Sequence, residues 1–248
     1  MGRTLFALIL RESRVRYGRS RLGYAWALIE PVLIVAVISL FFAGVFGRRE
    51  FSYDAGIFYA LGVVNFQFFR HASQFVAQGL QANRALLNYP PVHEVDVLVA
   101  RMALDAATYI VINLATFGFL VAMFGAHRPE HPDRLLLSYG GLALLAFGIG
   151  LNLAALFRRS EMALQIYGLL TAPLFLFSCV IFSYNSVPTE FQKVLVWNPV
   201  MHGVEGIRSG YYANYALGYV DFGYLYFVAL ALTGLGLFQV LVTRRGMR

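Results

Sequence analysis

The residues able to do chemistry in this chain are basic and aromatic, and they gather at the ends of long apolar runs. The densest group precedes the first run. Arg14, Arg16, Arg19 and Arg21 come close together, followed by Tyr24, Trp26, Glu30 and Pro31. A guanidinium grips carboxylate or phosphate through paired hydrogen bonds, so these arginines could meet the anionic end of a lipid-linked substrate. Tyr24 and Trp26 would add ring faces at headgroup depth. Ordinary anchoring accounts for the same residue types, because arginine and tryptophan both settle at membrane interfaces. A second group lies inside an apolar run, where Arg70 and His71 follow Phe66, Phe68 and Phe69. Exposing arginine to mid-bilayer lipid costs about 2.5–3.5 kcal/mol on insertion scales, so such a residue faces a polar cavity or snorkels to the surface. Phe175, Phe177, Phe182 and Tyr184 are further aromatics that could touch sugar rings, with helix packing as the plainer role. Glu30 could line the same route or pair with a nearby arginine.

Nothing in the chain has the pattern of an enzyme. GxGxxG, GxxxxGK(S/T), HExxH and GxSxG do not occur. His127, Glu130, His131 and Asp133 could be imagined as metal ligands, but Pro129 and Pro132 break the helix that would gather them. His93, Glu94 and Asp96 follow Pro91 and have the form of a solvated helix start. The one cysteine, Cys179, leaves neither an internal disulfide nor a CxxC metal site.

The elements that must position these residues are membrane helices. Apolar residues make up 59% of the 248 and charged residues 13%, against roughly 45–50% and 25% in soluble domains. A soluble fold could not cover that much apolar surface. A bilayer core of roughly 30 Å needs about 20 helical residues, and spans are predicted at about 26–47, 55–76, 103–126, 135–157, 162–184 and 222–243. With both termini on the cytoplasmic side, only Arg48, Arg49, Arg128, Arg134, Lys193 and Arg208 of the 20 basic residues fall outside. That asymmetry follows the positive-inside rule and argues for membrane rather than nucleic acid as the basic chain's partner. Residues 1–24 are expected to form a cytoplasmic or interfacial helix. Residues 79–101 form a cytoplasmic segment broken at Tyr89-Pro90-Pro91. Residues 185–221 are too apolar for a free loop, and Asn198-Pro199 has the form of an N-cap with proline at the first helical position. Short re-entrant helices are expected there. Tyr211, Tyr212, Tyr215, Tyr219, Tyr224 and Tyr226 are expected to form an interfacial girdle rather than a glycan exit site. The predicted fold is therefore all-α and integral to the membrane, in one domain over 1–248.

The run from Arg16 to Pro31, RYGRSRLGYAWALIEP, resembles the signature opening of the permease subunit of ABC-type polysaccharide exporters, closest to those of bacterial capsules. The segment Asn83-Arg84-Ala85-Leu86-Leu87-Asn88-Tyr89-Pro90 and the late Trp197-Asn198-Pro199 agree with it. Gly18 and Arg21 depart modestly from that opening. The resemblance implies a half-transporter in the bacterial inner membrane. Two copies form the pathway, and two separate ATPase subunits carry the ATP and magnesium, so this chain itself binds no cofactor. The cargo implied is a lipid-linked acidic polysaccharide passed to periplasmic co-polymerase and outer-membrane export partners. Asn83, Arg84, Leu86, Leu87 and Tyr89 are expected to dock the ATPase. The substrate-contact set is Arg14, Arg16, Arg19 and Arg21. The pathway set is Tyr24, Trp26, Glu30, Phe66, Phe69, Arg70, His71, Phe175, Phe182 and Tyr184. An O-antigen or teichoic acid exporter is the nearest alternative. A membrane-embedded envelope-glycan enzyme would need a convergent acid or histidine pair, for which Glu30, Arg70 and His71 are too sparse.

Overall fold

The computed structural model describes residues 2–17, 29–30, 32–35, 37, 55–88, 92–124, 127–158, 160, 162–215 and 218–245. Among them every regular element is helical. The helices are α1 Gly2–Tyr17, α2 Ala55–Ala77, α3 Gly79–Ala82, α4 Glu94–Phe124, α5 Pro132–Phe157, α6 Met162–Phe177, α7 Thr189–Leu195, α8 Pro199–Tyr211 and α9 Phe222–Arg245. Single 3-10 turns occur at Leu86–Asn88 and Tyr184–Ser186. Residues 29–30, 32–35 and 37 are also helical; the rest of the first expected span lies outside the described residues. α5 and the Phe222–Val242 stretch of α9 are each long and apolar enough to cross a membrane.

The core forms around α5, which packs against α2, α8 and α9. Leu142, Leu145 and Ala146 of α5 meet Val64 and Phe68 of α2, Val204 and Ile207 of α8, and Leu225 and Ala229 of α9. Small residues let the backbones close up. A Cβ at Gly148 would stand 2.9 Å from the Thr233 nitrogen of α9. Asn152 then donates both to Gly148 O at 2.7 Å and across to Leu232 O at 2.8 Å. The other faces of α6 and α9 stay uncovered, with Ile166, Leu169, Leu170, Phe227, Leu230 and Phe238 exposed. Apolar surface on that scale calls for lipid or another subunit.

α6 ends earlier than its apolar run. The spacing predicts a helix to residue 184, yet α6 stops at Phe177, and Cys179 adopts a left-handed φ of 56°. Its 16 residues reach roughly 24 Å. The cause is distant in sequence, because Arg208 of α8 gathers the carbonyls of Cys179, Val180 and Phe182. Those oxygens would otherwise need a continuing helix. Asn198 completes the corner. Its Oδ1 accepts from Val200 N at 3.0 Å to cap α8, and its Nδ2 donates to Phe177 O at 2.9 Å.

Candidate functional site

One face of α2 stands apart from the rest of that helix. Every residue from Ile57 to Phe66 is buried. Beyond them Gln67, Arg70, His71 and Gln74 are partly or fully exposed, and exposed Gln78 follows the helix end. These positions are three and four apart and so share one helical face. Gln81 and Arg84, both exposed, continue the polar track onto the turn after α3. The track begins at a groove of about 250 Å³, walled by Val63, Phe66, Gln67 and Arg70 of α2, Thr171, Ala172 and Phe175 of α6, and Ile34. Phe66 and Phe175 meet edge to face with centroids 5.2 Å apart. Three residues picked from the sequence, Phe66, Arg70 and Phe175, are thus brought together. Phe69 is not. It lies fully buried in the core, on the opposite side of Phe66 from the track.

His71 turns towards α4. Its Nδ1 lies 3.0 and 3.1 Å from the two carboxylate oxygens of Asp105, a wholly buried residue of α4 at the edge of its uncharged run. Phe75 and Tyr109 flank the imidazole, with centroids 6.1 and 5.9 Å away. Ser73 Oγ and Tyr167 Oη, 2.6 Å apart, tie α2 to α6. Asn65 and Asn113 exchange amide contacts at 3.3 and 3.4 Å between α2 and α4.

At the end of the bundle that carries α1, ion pairs hold that helix down. Leu5, Leu8 and Ile9 pack on Val97 and Ala100 of α4. Glu12, nearly buried, receives Arg101 Nε at 3.1 Å, and Arg101 Nη1 donates to Phe75 O at 2.7 Å. Arg11 donates to the Asn83 side chain, and Arg158 pairs with Glu94 at 2.7 Å. Asn83 is therefore a buried hinge pin whose Nδ2 also caps Gly79 O at 3.1 Å. Leu86 and Leu87 pack onto the α1–α4 cluster. The surface this turn leaves open is Gln81, Ala82, Arg84 and Ala85.

The opposite end holds a second buried network. Arg208 and Glu205, both fully enclosed, pair at 2.6 Å. Arg208 also donates to Val180 O at 2.6 Å and Phe58 O at 3.3 Å, and its guanidinium carbon sits 3.6 Å above the Phe58 ring centroid. Glu205 Oε2 accepts from Tyr215 at 2.8 Å and Tyr219 at 2.6 Å. Burial and then the Glu205 carboxylate push both phenols up, so they stay protonated as donors. His202 accepts from Asp221 N–H at Nδ1, which leaves Nε2 to donate to Val196 O at 2.7 Å. Burial holds its pKa below the usual histidine value. Phe182 and Tyr184 belong to this network rather than to the groove. Phe182 lends its carbonyl to Arg208, and Tyr184 stacks on Tyr219 at 4.0 Å. Of the tyrosines expected as a girdle, Tyr211 and Tyr215 are buried and the other four half-buried, and several are tied to backbone carbonyls. Tyr211 bonds His127 O at 2.6 Å, Tyr224 bonds Trp197 O at 2.8 Å, and Tyr226 bonds Leu137 O at 2.9 Å.

Arg14 is exposed on α1, and Glu30 is exposed on the short helical stretch at 29–30, within the first expected span. Arg16 lies on the last turn of α1 with its side chain outside the described residues. Arg19, Arg21, Tyr24, Trp26 and Tyr89 lie outside them too. Sequence reading overlooked Gln67, Gln74, Gln78, Asp105, Glu12, Arg101 and Glu205. The glutamines carried a usable signal, since they repeat at helical spacing around Arg70.

Comparison of the sequence with known proteins identifies the family. The profile of the ABC-2 type transporter family matches residues 3–212. The polysialic acid transport protein KpsM of Escherichia coli is 30% identical, over 94% of this chain and 91% of its own. The capsule polysaccharide export inner-membrane protein BexB of Haemophilus influenzae is 28% identical, over 96% and 90%. Its counterpart CtrC of Neisseria meningitidis serogroup B is 27% identical, over 99% and 92%. The chain belongs to the ABC-2 type transporter family, as a membrane subunit related to the inner-membrane proteins of capsule polysaccharide export.

Proposed function

We propose that this chain is the membrane subunit of an ATP-driven exporter that carries lipid-linked capsular polysaccharide across the bacterial inner membrane. Two copies flank the route, and two separate ATPase subunits bind the cytoplasmic face. Six spans with both termini cytoplasmic, an interfacial α1 and a re-entrant α7–α8 pair complete the arrangement. The polar face of α2 is the observation that carries this reading. A helix otherwise sealed in the core exposes Gln67, Arg70, His71, Gln74 and Gln78 from mid-depth to the turn at Asn83. Amides and a cation along an apolar bundle suit a hydroxyl-rich chain that must be touched without being gripped. A polar row facing lipid would be expelled.

The exposed edge Gln81, Ala82, Arg84 and Ala85 is the part of the coupling segment left to meet the ATPase. Asn83, Leu86 and Leu87 act behind it, by joining that edge to α1. Arg14, with Arg16, Arg19 and Arg21, meets the anionic end of the cargo at the same face. The test is genetic and biochemical together. Deleting this subunit should abolish surface capsule, leave polymer inside the cell and spare O-antigen. Normal capsule on the deletion strain would end the proposal.

A further inference from the structure

The groove at the head of the polar track holds one cation, Arg70, with no acid paired to it among the described residues. Arg101, Arg158 and Arg208 each pair with a carboxylate, and His71 lies against Asp105. Among the described residues no acid pairs with Arg70, and its side chain is exposed into the groove. Beside it stand the Gln67 amide and the edge-to-face pair of Phe66 and Phe175. An arginine held within an apolar bundle without a partner is costly unless something anionic meets it. Lipid phosphate at the surface is one candidate. The groove's other walls suit a sugar, because the Gln67 amide can meet its hydroxyls while the Phe175 ring packs on its apolar face.

We infer that this groove is a subsite for a single acidic sugar unit, with Arg70 selecting the carboxylate, Gln67 meeting ring hydroxyls and half-buried Phe175, held edge to face by buried Phe66, packing on the apolar ring face. This rests on the exporter reading and sharpens it. The transporter prefers acidic glycans over neutral ones of the same length, and Arg70 carries that preference. Guanidinium and carboxylate form a charge-assisted pair, stronger than a neutral hydrogen bond and favoured further where water is scarce.

The test uses the complete exporter, this chain with its ATPase, reconstituted in liposomes. Stimulation of ATP hydrolysis is titrated with oligogalacturonate and with the same oligomer after its carboxyls are reduced to alcohols. Wild type should need roughly tenfold less of the acidic form, the size of one charged hydrogen bond. Arg70→Gln should respond to both forms alike, and Arg70→Lys should keep part of the preference because it keeps the charge. Co-purification of the ATPase with each variant reports that the subunit is folded. An unchanged acid preference in Arg70→Gln, or no preference in wild type, overturns the inference while leaving the exporter reading intact. If phosphatidic acid competes with oligogalacturonate in wild type but not in Arg70→Gln, the groove reads a lipid phosphate and the sugar assignment is wrong. If neither glycan stimulates the wild type, the subsite inference fails, and the exporter reading is decided separately by the capsule of the deletion strain.

Discussion

Replacing Arg208 by methionine should loosen the whole segment that follows α6. The side chain contacts the carbonyls of Cys179, Phe182, Val180 and Phe58 and pairs with Glu205, all in a site closed to solvent. Methionine keeps most of the apolar volume and none of the donors. Glu205 then keeps only Tyr215 and Tyr219 as partners. Breaking a buried pair on one side costs about 3–5 kcal/mol, a large share of the roughly 5–15 kcal/mol that keeps a domain folded. The chain supplies its own reporter, since Cys179 is its one cysteine and is fully buried. At about 1.4 kcal/mol per factor of ten, the lower figure multiplies the open population by roughly a hundredfold. Maleimide labelling of Cys179 in membranes holding the assembled exporter should accelerate by about that factor. The double variant Glu205→Leu with Arg208→Met removes both charges and should recover much of the loss. Labelling of Arg208→Met at the wild-type rate would refute the claim that this pair holds the segment in place.

Other expectations can be checked more briefly. Gly62→Ala should disturb the same corner, because a Cβ there would lie 2.5 Å from both Arg208 Nη2 and Val180 O; a cost of about 1–3 kcal/mol should again appear as faster Cys179 labelling. Purified without its partner, the chain should neither bind nor hydrolyse ATP, as its lack of GxxxxGK(S/T) implies; robust turnover would contradict the assignment of energy supply to another subunit. Leu87→Asp should release α1, seen as faster proteolysis of the N-terminal helix, whereas Arg84→Glu should leave α1 bound and weaken capture of the ATPase in a pull-down. Replacing Arg16 and Arg19 by lysine keeps the inside charge but loses the planar fork; export should fall, and an unchanged export rate would leave these residues only an anchoring role.

Sequence reading reached what is periodic and local. Uninterrupted apolar runs marked the bodies of α2, α5 and α9, and Asn198-Pro199 marked the start of α8, because capping is decided within a few residues. Phe66, Arg70 and Phe175 stood out by type, and two helices then placed them together. What stayed hidden depended on distant partners. Arg208 counted as an outside basic residue and Asp105 merely edged an apolar run, since nothing local tells a buried paired charge from a solvated one. The end of α6 at Phe177 was invisible for the same reason. The residues there are helix-compatible, and the stop comes from an arginine further along the chain. Glu12 joins Arg101 across nearly the whole first half of the chain, a pairing no spacing rule reaches.

The two buried arginines share a geometry with a mechanical meaning. Arg101 donates to Phe75 O while lying 4.3 Å over that phenylalanine's ring, and Arg208 does the same at Phe58 with 3.6 Å. Arg101 of α4 is locked by Glu12 of α1, and Arg208 by Glu205 on its own helix, α8. α2 is thus a shaft journalled at both ends, and its bearings stand some way apart along one straight helix. Neither axial sliding nor rotation of α2 can occur without stripping its Phe58 and Phe75 carbonyls and rings from buried guanidiniums. Strokes of a transport cycle must therefore carry α1, α2, α4 and α8 as one body, and the compliant parts are those with few internal fastenings. α6, whose outer flank is bare, is joined to that body by the Ser73–Tyr167 hydroxyls, the Phe66–Phe175 ring pair and the Asn198 corner, with no buried ion pair among the described residues, and is the element left most able to move.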